Sequence, residues 1–91
     1  MSIKIVSNEQ AEREEIFFDN FRHIVRIKGI SYNTLAKKLD VNVSTVISYR
    51  MGRTFPNEER IEQLAEALEC TVDDLFDETY KPWEFGKQLN N

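Results

Sequence analysis

The sequence predicts a small all-α domain of five helices, and three observations support this prediction. Apolar residues recur at spacings of three and four along most of the chain, which is the period of a helix with one buried face. A residue type that commonly caps helix N-termini precedes each candidate helix. The 91 residues include only three Gly and two Pro, and 41% of them are hydrophobic. A chain of this length and composition can form one modest core.

The first helix is expected to begin at Ser7, because Ser-Asn-Glu-Gln is a capping-box pattern, and to end at Lys28 before Gly29. Residues 2–6 alternate between polar and apolar types, so a short strand and a disordered start both remain open. We therefore expect an N-terminal arm over residues 1–8 and an extended first helix. The apolar stripe of this helix is Phe17, Phe21, Ile24 and Val25.

The second and third helices are predicted to be short. Ser31 is a suitable N-cap for a helix over 32–39, and Asp40 with Val41 forms the turn that follows. Asn42 is a suitable N-cap for a helix over 43–51, which Gly52 would end. Two short helices joined by a tight turn, here residues 31–52, form a helix-turn-helix, a shape that fits the DNA major groove.

The fourth and fifth helices complete the predicted domain, which spans residues 9–77. Asn57 follows Pro56 as an N-cap, and Thr71 with Asp74 indicates the start of a short last helix. Residues 78–91 form a C-terminal tail that is too apolar for a simple solvated end. Its aromatic residues could pack on the first helix or form dimer contacts. The core stripe of the fourth helix is Ile61, Leu64, Ala65 and Leu68, and the tail aromatics are Tyr80, Trp83 and Phe85.

The charge is distributed unevenly along the chain. The net charge of the whole chain is −4, which is unusual for a protein that binds DNA. Residues 21–55, however, contain seven basic residues and one acidic residue, whereas residues 56–91 contain three basic and ten acidic residues. The basic segment coincides with the predicted helix-turn-helix. Phosphate contacts require a local basic surface of this kind rather than a high overall pI.

The third helix is predicted to present a polar outer face. With Val46 at the centre of the buried side, a helical wheel places Val43, Tyr49 and Arg50 near it. Hydroxyl groups can bond to base edges and phosphates, and apolar side chains can contact the thymine methyl. An ordinary solvated helix face would look the same, so this pattern alone does not decide. The predicted outer face consists of Ser44, Thr45, Ile47, Ser48 and Met51.

The order and spacing of several sequence blocks carry a more specific signal. The chain resembles the Cro/cI repressor-type helix-turn-helix domain, also called the XRE family, over roughly residues 18–76. The blocks are Gly29-Ile30-Ser31, Leu35-Ala36-Lys37-Lys38-Leu39, residues 41–46, Gly52-Arg53, Pro56, residues 61–68 and residues 71–76. The resemblance implies a lambda-repressor-like five-helix fold, a third helix that binds DNA, and a dimer on a two-fold symmetric operator.

The resemblance also implies site residues. Helix two would begin against phosphate, the third helix would lie near the bases, and the residues after Gly52 would contact the backbone. The family often has Gln where this chain has Tyr32, and a paired Arg and Glu where this chain has Val25 and Arg50. We expect a structural, inward-facing role for Arg50 in preference to a DNA contact, and a helix C-terminus, an acid in 57–62 and a phosphate all remain open as its partner. The expected DNA-binding residues are Ser31, Tyr32, Asn42, Val43, Ser44, Thr45, Ile47, Ser48, Arg53 and Thr54.

The sequence therefore predicts a cytoplasmic transcriptional regulator, a repressor that binds double-stranded DNA as a homodimer. The alternative is an acidic protein-binding module of the same fold, such as an antirepressor or antitoxin-like protein, which acts through a protein partner. We expect no enzymatic activity, because no nucleophile–base pair or phosphate loop is evident. One Cys and one His make an internal disulfide and a zinc site implausible, so no metal and no cofactor are expected. No apolar run is long enough to span a membrane.

Overall fold

The computed structural model describes residues 2–78, with side chains from residue 9 onward, and this part of the chain is helical without strands. The predicted all-α class and the order of five helices are confirmed. The predicted aromatic residues of the tail, Tyr80, Trp83 and Phe85, lie outside the described residues. The helices are α1 (Ser2–Lys28), α2 (Tyr32–Leu39), α3 (Val43–Arg50), α4 (Glu58–Leu68) and α5 (Val72–Phe76).

Helix α1 is longer than the sequence predicts. It begins at Ser2, so the expected start at Ser7 is wrong, and residues 2–8 lie in the helix rather than in a short strand or a separate arm. The segment contains no Gly or Pro that would interrupt a helix. A serine can cap a helix, but it also fits within one when the preceding turn is already helical. The capping-box pattern at Ser7 therefore does not mark the start of α1.

All five helices contribute to a single core. Helix α1 packs against α3, α4 and α5, and α2 packs against α3 and α4. Phe17 of α1 is central, because its ring contacts four other aromatic rings. The predicted stripes of α1 and α4 are confirmed as buried. The buried apolar residues are Phe17, Phe21, Ile24, Val25, Leu35, Ala36, Val46, Tyr49, Ile61, Leu64, Ala65, Leu68 and Leu75.

One polar side chain, Asn20 of α1, is buried with them and is 3% exposed. Its Nδ2 donates to the carbonyl oxygens of Asp74, Leu75 and Asp77 at 3.1, 3.2 and 2.9 Å. These carbonyls lie at the end of α5, where a helix leaves its last acceptors without partners of its own. Asn20 thereby ties a five-residue helix, too short to be stable alone, to the longest helix of the domain.

Helices α2 to α5 each begin directly after the predicted N-cap residue. The Ser31 hydroxyl accepts the Thr34 amide at 3.1 Å, and Asn57 Oδ1 accepts the Arg60 amide at 2.8 Å. Thr71 begins α5 with a complete capping box. Asn42 stands at the N-cap of α3, but its side chain makes no capping hydrogen bond. Its amide group is therefore not used to hold α3.

Helices α2 and α4 end with the same kind of turn. Their last turns close onto Asp40 (φ 59°) and Glu69 (φ 57°), both in the left-handed region that favours glycine. In each case the residue that follows donates its amide to a carbonyl five residues back: Val41 to Ala36 at 3.0 Å and Cys70 to Ala65 at 2.9 Å. The turn at Asp40 sets the angle between α2 and α3, and so the direction in which α3 projects.

Candidate nucleic-acid interface

Helix α3 has one side in the core and the other on the surface. Val46 and Tyr49 are buried and hold α3 against α1 and α2. On the other side, Ser44 is exposed and Met51, the C-cap, is 50% exposed. No acidic residue occurs in α3. The outer side of α3 can therefore approach phosphates without repelling them.

A groove of about 900 Å³ lies beside α3, where the end of α1 and the start of α2 meet it. Its lining combines apolar and cationic side chains. The cationic ones are Arg22, Arg26 and Arg50, and no carboxylate lines the groove. Such a surface attracts anions. The remaining lining residues are Val25, Gly29, Ile30, Ser31, Tyr32, Asn33, Val43, Ile47 and Met51.

The structure brings four of the expected DNA-binding residues together in this groove: Ser31, Tyr32, Val43 and Ile47. The other six lie on α3 or immediately beside it. Four of those six are exposed (Asn42, Ser44, Arg53 and Thr54), and two are half-buried (Thr45 and Ser48). The expected residues thus occupy two stretches of chain, residues 31–32 at the start of α2 and residues 42–54 around α3.

Ser48 is held by a local hydrogen bond. Its Oγ donates to the Thr45 carbonyl at 2.7 Å, which leaves the lone pairs of the oxygen available as acceptors. The Ser48 carbonyl in turn accepts the amides of Arg53 at 2.9 Å and Thr54 at 3.4 Å. These bonds fold the loop after α3 back onto the helix, with Gly52 at φ 71° making the reversal. Arg53 is consequently fixed near the end of α3 by its backbone.

The expected inward position of Arg50 is wrong. Arg50 is exposed, and its guanidinium carbon lies 5.4 Å from the centre of the Tyr32 ring. The wheel placed Arg50 within 60° of Val46, but α3 buries only Val46 and Tyr49. A long side chain at the edge of such a narrow buried stripe can turn out to solvent and carry its charge with it.

Two other groove residues, Arg22 and Arg26 of α1, were not singled out from the sequence. Arg22 Nη1 donates to the Arg50 carbonyl at 2.8 Å, and Nη2 pairs with Asp19 at 2.7 Å. Arg22 therefore caps α3 from a neighbouring helix. The signal available in the sequence was the basic segment 21–55, which contains both residues. The basic segment did not indicate on which side of α1 Arg22 and Arg26 lie.

Two titratable groups outside the groove have shifted pKa values. Burial raises the pKa of the Cys70 thiol to about 11, so this residue is a poor nucleophile at neutral pH. Burial also lowers the pKa of His23. Within residues 2–78, no three metal-ligating side chains lie close enough together to hold an ion. None of the described helices is long and apolar enough to cross a membrane.

A different helix, α4, carries a group of exposed acidic residues. Five glutamates of α4 and its C-cap are exposed, and α4 packs on α1, α2 and α5 but not on α3 among the described helices. Lys38 of α2 lies beside this acidic surface, next to Glu66, and not in the cationic groove. The five residues, which we call the acidic face, are Glu58, Glu59, Glu62, Glu66 and Glu69.

Comparison with known proteins agrees with this geometry. A family model described as helix-turn-helix matches residues 24–75, which is more than half of the chain and includes α2, α3 and α4 complete. No curated protein and no solved structure gives a significant match.

Proposed function

The chain belongs to the Cro/cI-type (XRE) helix-turn-helix family, a family of DNA-binding regulators, and from this premise we propose that it is a cytoplasmic transcriptional repressor that binds a palindromic operator as a dimer. One observation carries the proposal. The outer side of α3 is exposed and free of acids, and it adjoins the cationic groove. A helix of this kind enters the major groove while its surroundings contact the sugar–phosphate backbone.

We assign base contacts to Asn42, Ser44 and Ser48. The Asn42 amide makes no capping bond, so it is available to form the paired hydrogen bonds by which Asn recognises adenine. Ser48 has its hydroxyl proton engaged with Thr45, so it faces the DNA as an acceptor and suits the amino group of adenine or cytosine. Val43 and Ile47 supply apolar contacts for a thymine methyl.

We assign backbone contacts to Ser31 and Tyr32 at the start of α2 and to Arg53 and Thr54 after α3. Together they bracket the recognition helix on both sides. Repression would be steric: a dimer that covers an operator excludes the polymerase. The two half-sites of such an operator should lie about one helical turn apart, roughly 34 Å.

Selection of bound sequences from random duplex DNA, followed by anisotropy titrations at low and moderate salt, tests the proposal. We expect an enriched palindrome that is bound at least about a thousandfold more tightly than random DNA. Footprinting should show two protected half-sites. A single protected half-site would contradict the dimer while leaving DNA recognition intact.

The acidic face favours a second candidate, a protein-binding module of the same fold. Its five exposed glutamates would suit a basic partner. The two functions predict opposite results in the selection experiment. If no sequence is enriched and only weak, salt-sensitive binding is seen, the protein-binding function is favoured. Substitution of Glu62 and Glu66 by Lys would then test whether the acidic face binds a basic partner.

A further inference from the structure

Arg50 occupies a position that its backbone and its neighbours define. It is the last residue of α3, its carbonyl accepts a hydrogen bond from Arg22, and its guanidinium lies over the ring of Tyr32. A guanidinium that makes a cation–π contact with an aromatic face keeps its N–H groups free to donate hydrogen bonds. Arg50 is therefore an exposed cation whose guanidinium is positioned by its contact with the Tyr32 ring.

The groove around Arg50 has the character of an anion site. Arg26 and Arg22 line it together with Arg50, and no carboxylate does. Arg22 is partly committed, because it is paired with Asp19. The charges of Arg26 and Arg50 thus have no compensating acid in the groove lining. Arginine is well suited to phosphate because its planar fork can donate two parallel hydrogen bonds to phosphate oxygens.

We propose that Arg50, which lies over the ring of Tyr32, binds a phosphate of the DNA backbone, with Arg26 as a second cation beside it. This inference rests on the proposed function and adds a contact that resemblance did not supply. Position argues for phosphate rather than a base. Recognition helices reach bases through their N-terminal residues, whereas Arg50 ends α3 and faces the junction of α1 and α2, where the first helix of the motif crosses the backbone.

Removal of the charge is the first test. With the selected DNA, we expect Arg50→Ala to weaken binding roughly tenfold for every sequence and to lower the slope of log K against log salt by about one unit. The Arg22 bond to residue 50 uses the backbone carbonyl, so alanine retains that bond and the fold. Lys38→Ala, which removes an exposed cation beside the acidic face, is the matched control and should leave the slope unchanged.

The contact between Arg50 and Tyr32 is tested by further variants. Arg50→Lys keeps the charge but not the planar fork, so it should retain the salt slope and lose part of the affinity. Tyr32→Leu should weaken binding more than Tyr32→Phe, which keeps the ring and removes only the hydroxyl, and this difference should be small in the Arg50→Ala background. Such non-additivity in a double-mutant cycle reports the contact between the two side chains.

The outcomes separate this inference from the proposed function. Wild-type protein that selects no DNA sequence would overturn both. Wild-type protein that binds its operator, with Arg50→Ala unchanged in affinity and slope, would overturn the phosphate contact alone. A loss for Arg50→Ala confined to operators carrying one particular base would also overturn it, because that result assigns Arg50 to base recognition.

Discussion

Helices α3 and α4, which are eight and eleven residues long, differ in how they are stabilised and in what they present to solvent. Helix α4 buries four residues on a continuous stripe, has a side-chain cap at its N-terminus, and covers its outer side with glutamates. Helix α3 buries two residues, has no side-chain cap, and contains no acid. Helix α4 is stabilised by its Asn57 cap and a wide buried stripe, whereas α3 has a narrower buried stripe and receives a hydrogen bond at its end from Arg22 of α1. The difference leaves most of the surface of α3 available for binding.

The largest effect is expected in the core of α4. Leu64 is fully buried, so Leu64→Ala should reduce the free energy of unfolding by about 3 kcal/mol through lost burial and the cavity left behind. Urea denaturation followed by circular dichroism would measure this. Operator preference of the remaining folded protein should be unchanged. A changed preference would mean that α4 also shapes recognition, and the division between the two helices would fail.

Substitutions on the outer side of α3 should change DNA recognition and leave stability nearly unchanged. Ser44→Ala and Ser48→Ala should change discrimination between bases by about 1–2 kcal/mol each and leave the unfolding free energy nearly unchanged. Repeating the selection with each variant locates the altered base positions. For Ser48 the altered base should be one that offers an amino group in the major groove. Unchanged preference in both variants would make this side of α3 an ordinary solvated face.

The loop after α3 carries a cation, Arg53, whereas α4 carries the acidic face, so the two regions also differ in charge. Arg53→Ala should weaken binding to all sequences alike and flatten the salt slope by about one unit, because it removes one phosphate contact. Lys38→Ala, beside the acidic face, serves again as the control. Titrations of operator and random DNA at several salt concentrations measure both quantities. An unchanged slope for Arg53→Ala would remove Arg53 from the backbone contacts.

The smallest effect separates two asparagines at equivalent N-cap positions. Asn57→Ala should cost about 1 kcal/mol of stability, since its side chain caps α4 through the Arg60 amide at 2.8 Å. Asn42→Ala should cost clearly less, because Asn42 makes no such bond, yet it should weaken operator binding. Urea midpoints and anisotropy on the same two variants provide the test. Equal stability losses would show that Asn42 caps α3 after all.

Local signals explain what could be predicted from the sequence. The caps Ser31, Asn57 and Thr71 act within one turn of the chain, so the residue types alone located three helix starts correctly. The stripe of α4 repeats at spacings of three and four over about two turns, which makes its buried side unambiguous. Helix α3 is only eight residues long and buries two, so the wheel could not assign an edge residue such as Arg50.

Long-range contacts explain what could not be predicted. Asn20 binds carbonyls more than fifty residues away, and nothing near it in the chain indicates those partners. The groove also depends on contacts between distant parts of the chain. Its lining includes Arg22 and Arg26 of α1, Tyr32 of α2 and Arg50 of α3. The basic segment indicated that cations would be available. Only the packing of three helices shows that they line one groove.

The left-handed residues that end α2 and α4 affect the melting temperature that the domain can reach. Both Asp40 and Glu69 adopt a left-handed backbone, which costs an L-residue other than Asn or Asp roughly 1 kcal/mol. Glycine at position 69 would relieve that strain, offset in part by the greater freedom of glycine in the unfolded chain. Asp40 tolerates the conformation better, so glycine there gains less. Room for raising the melting temperature therefore lies mainly at the end of α4, away from the recognition helix.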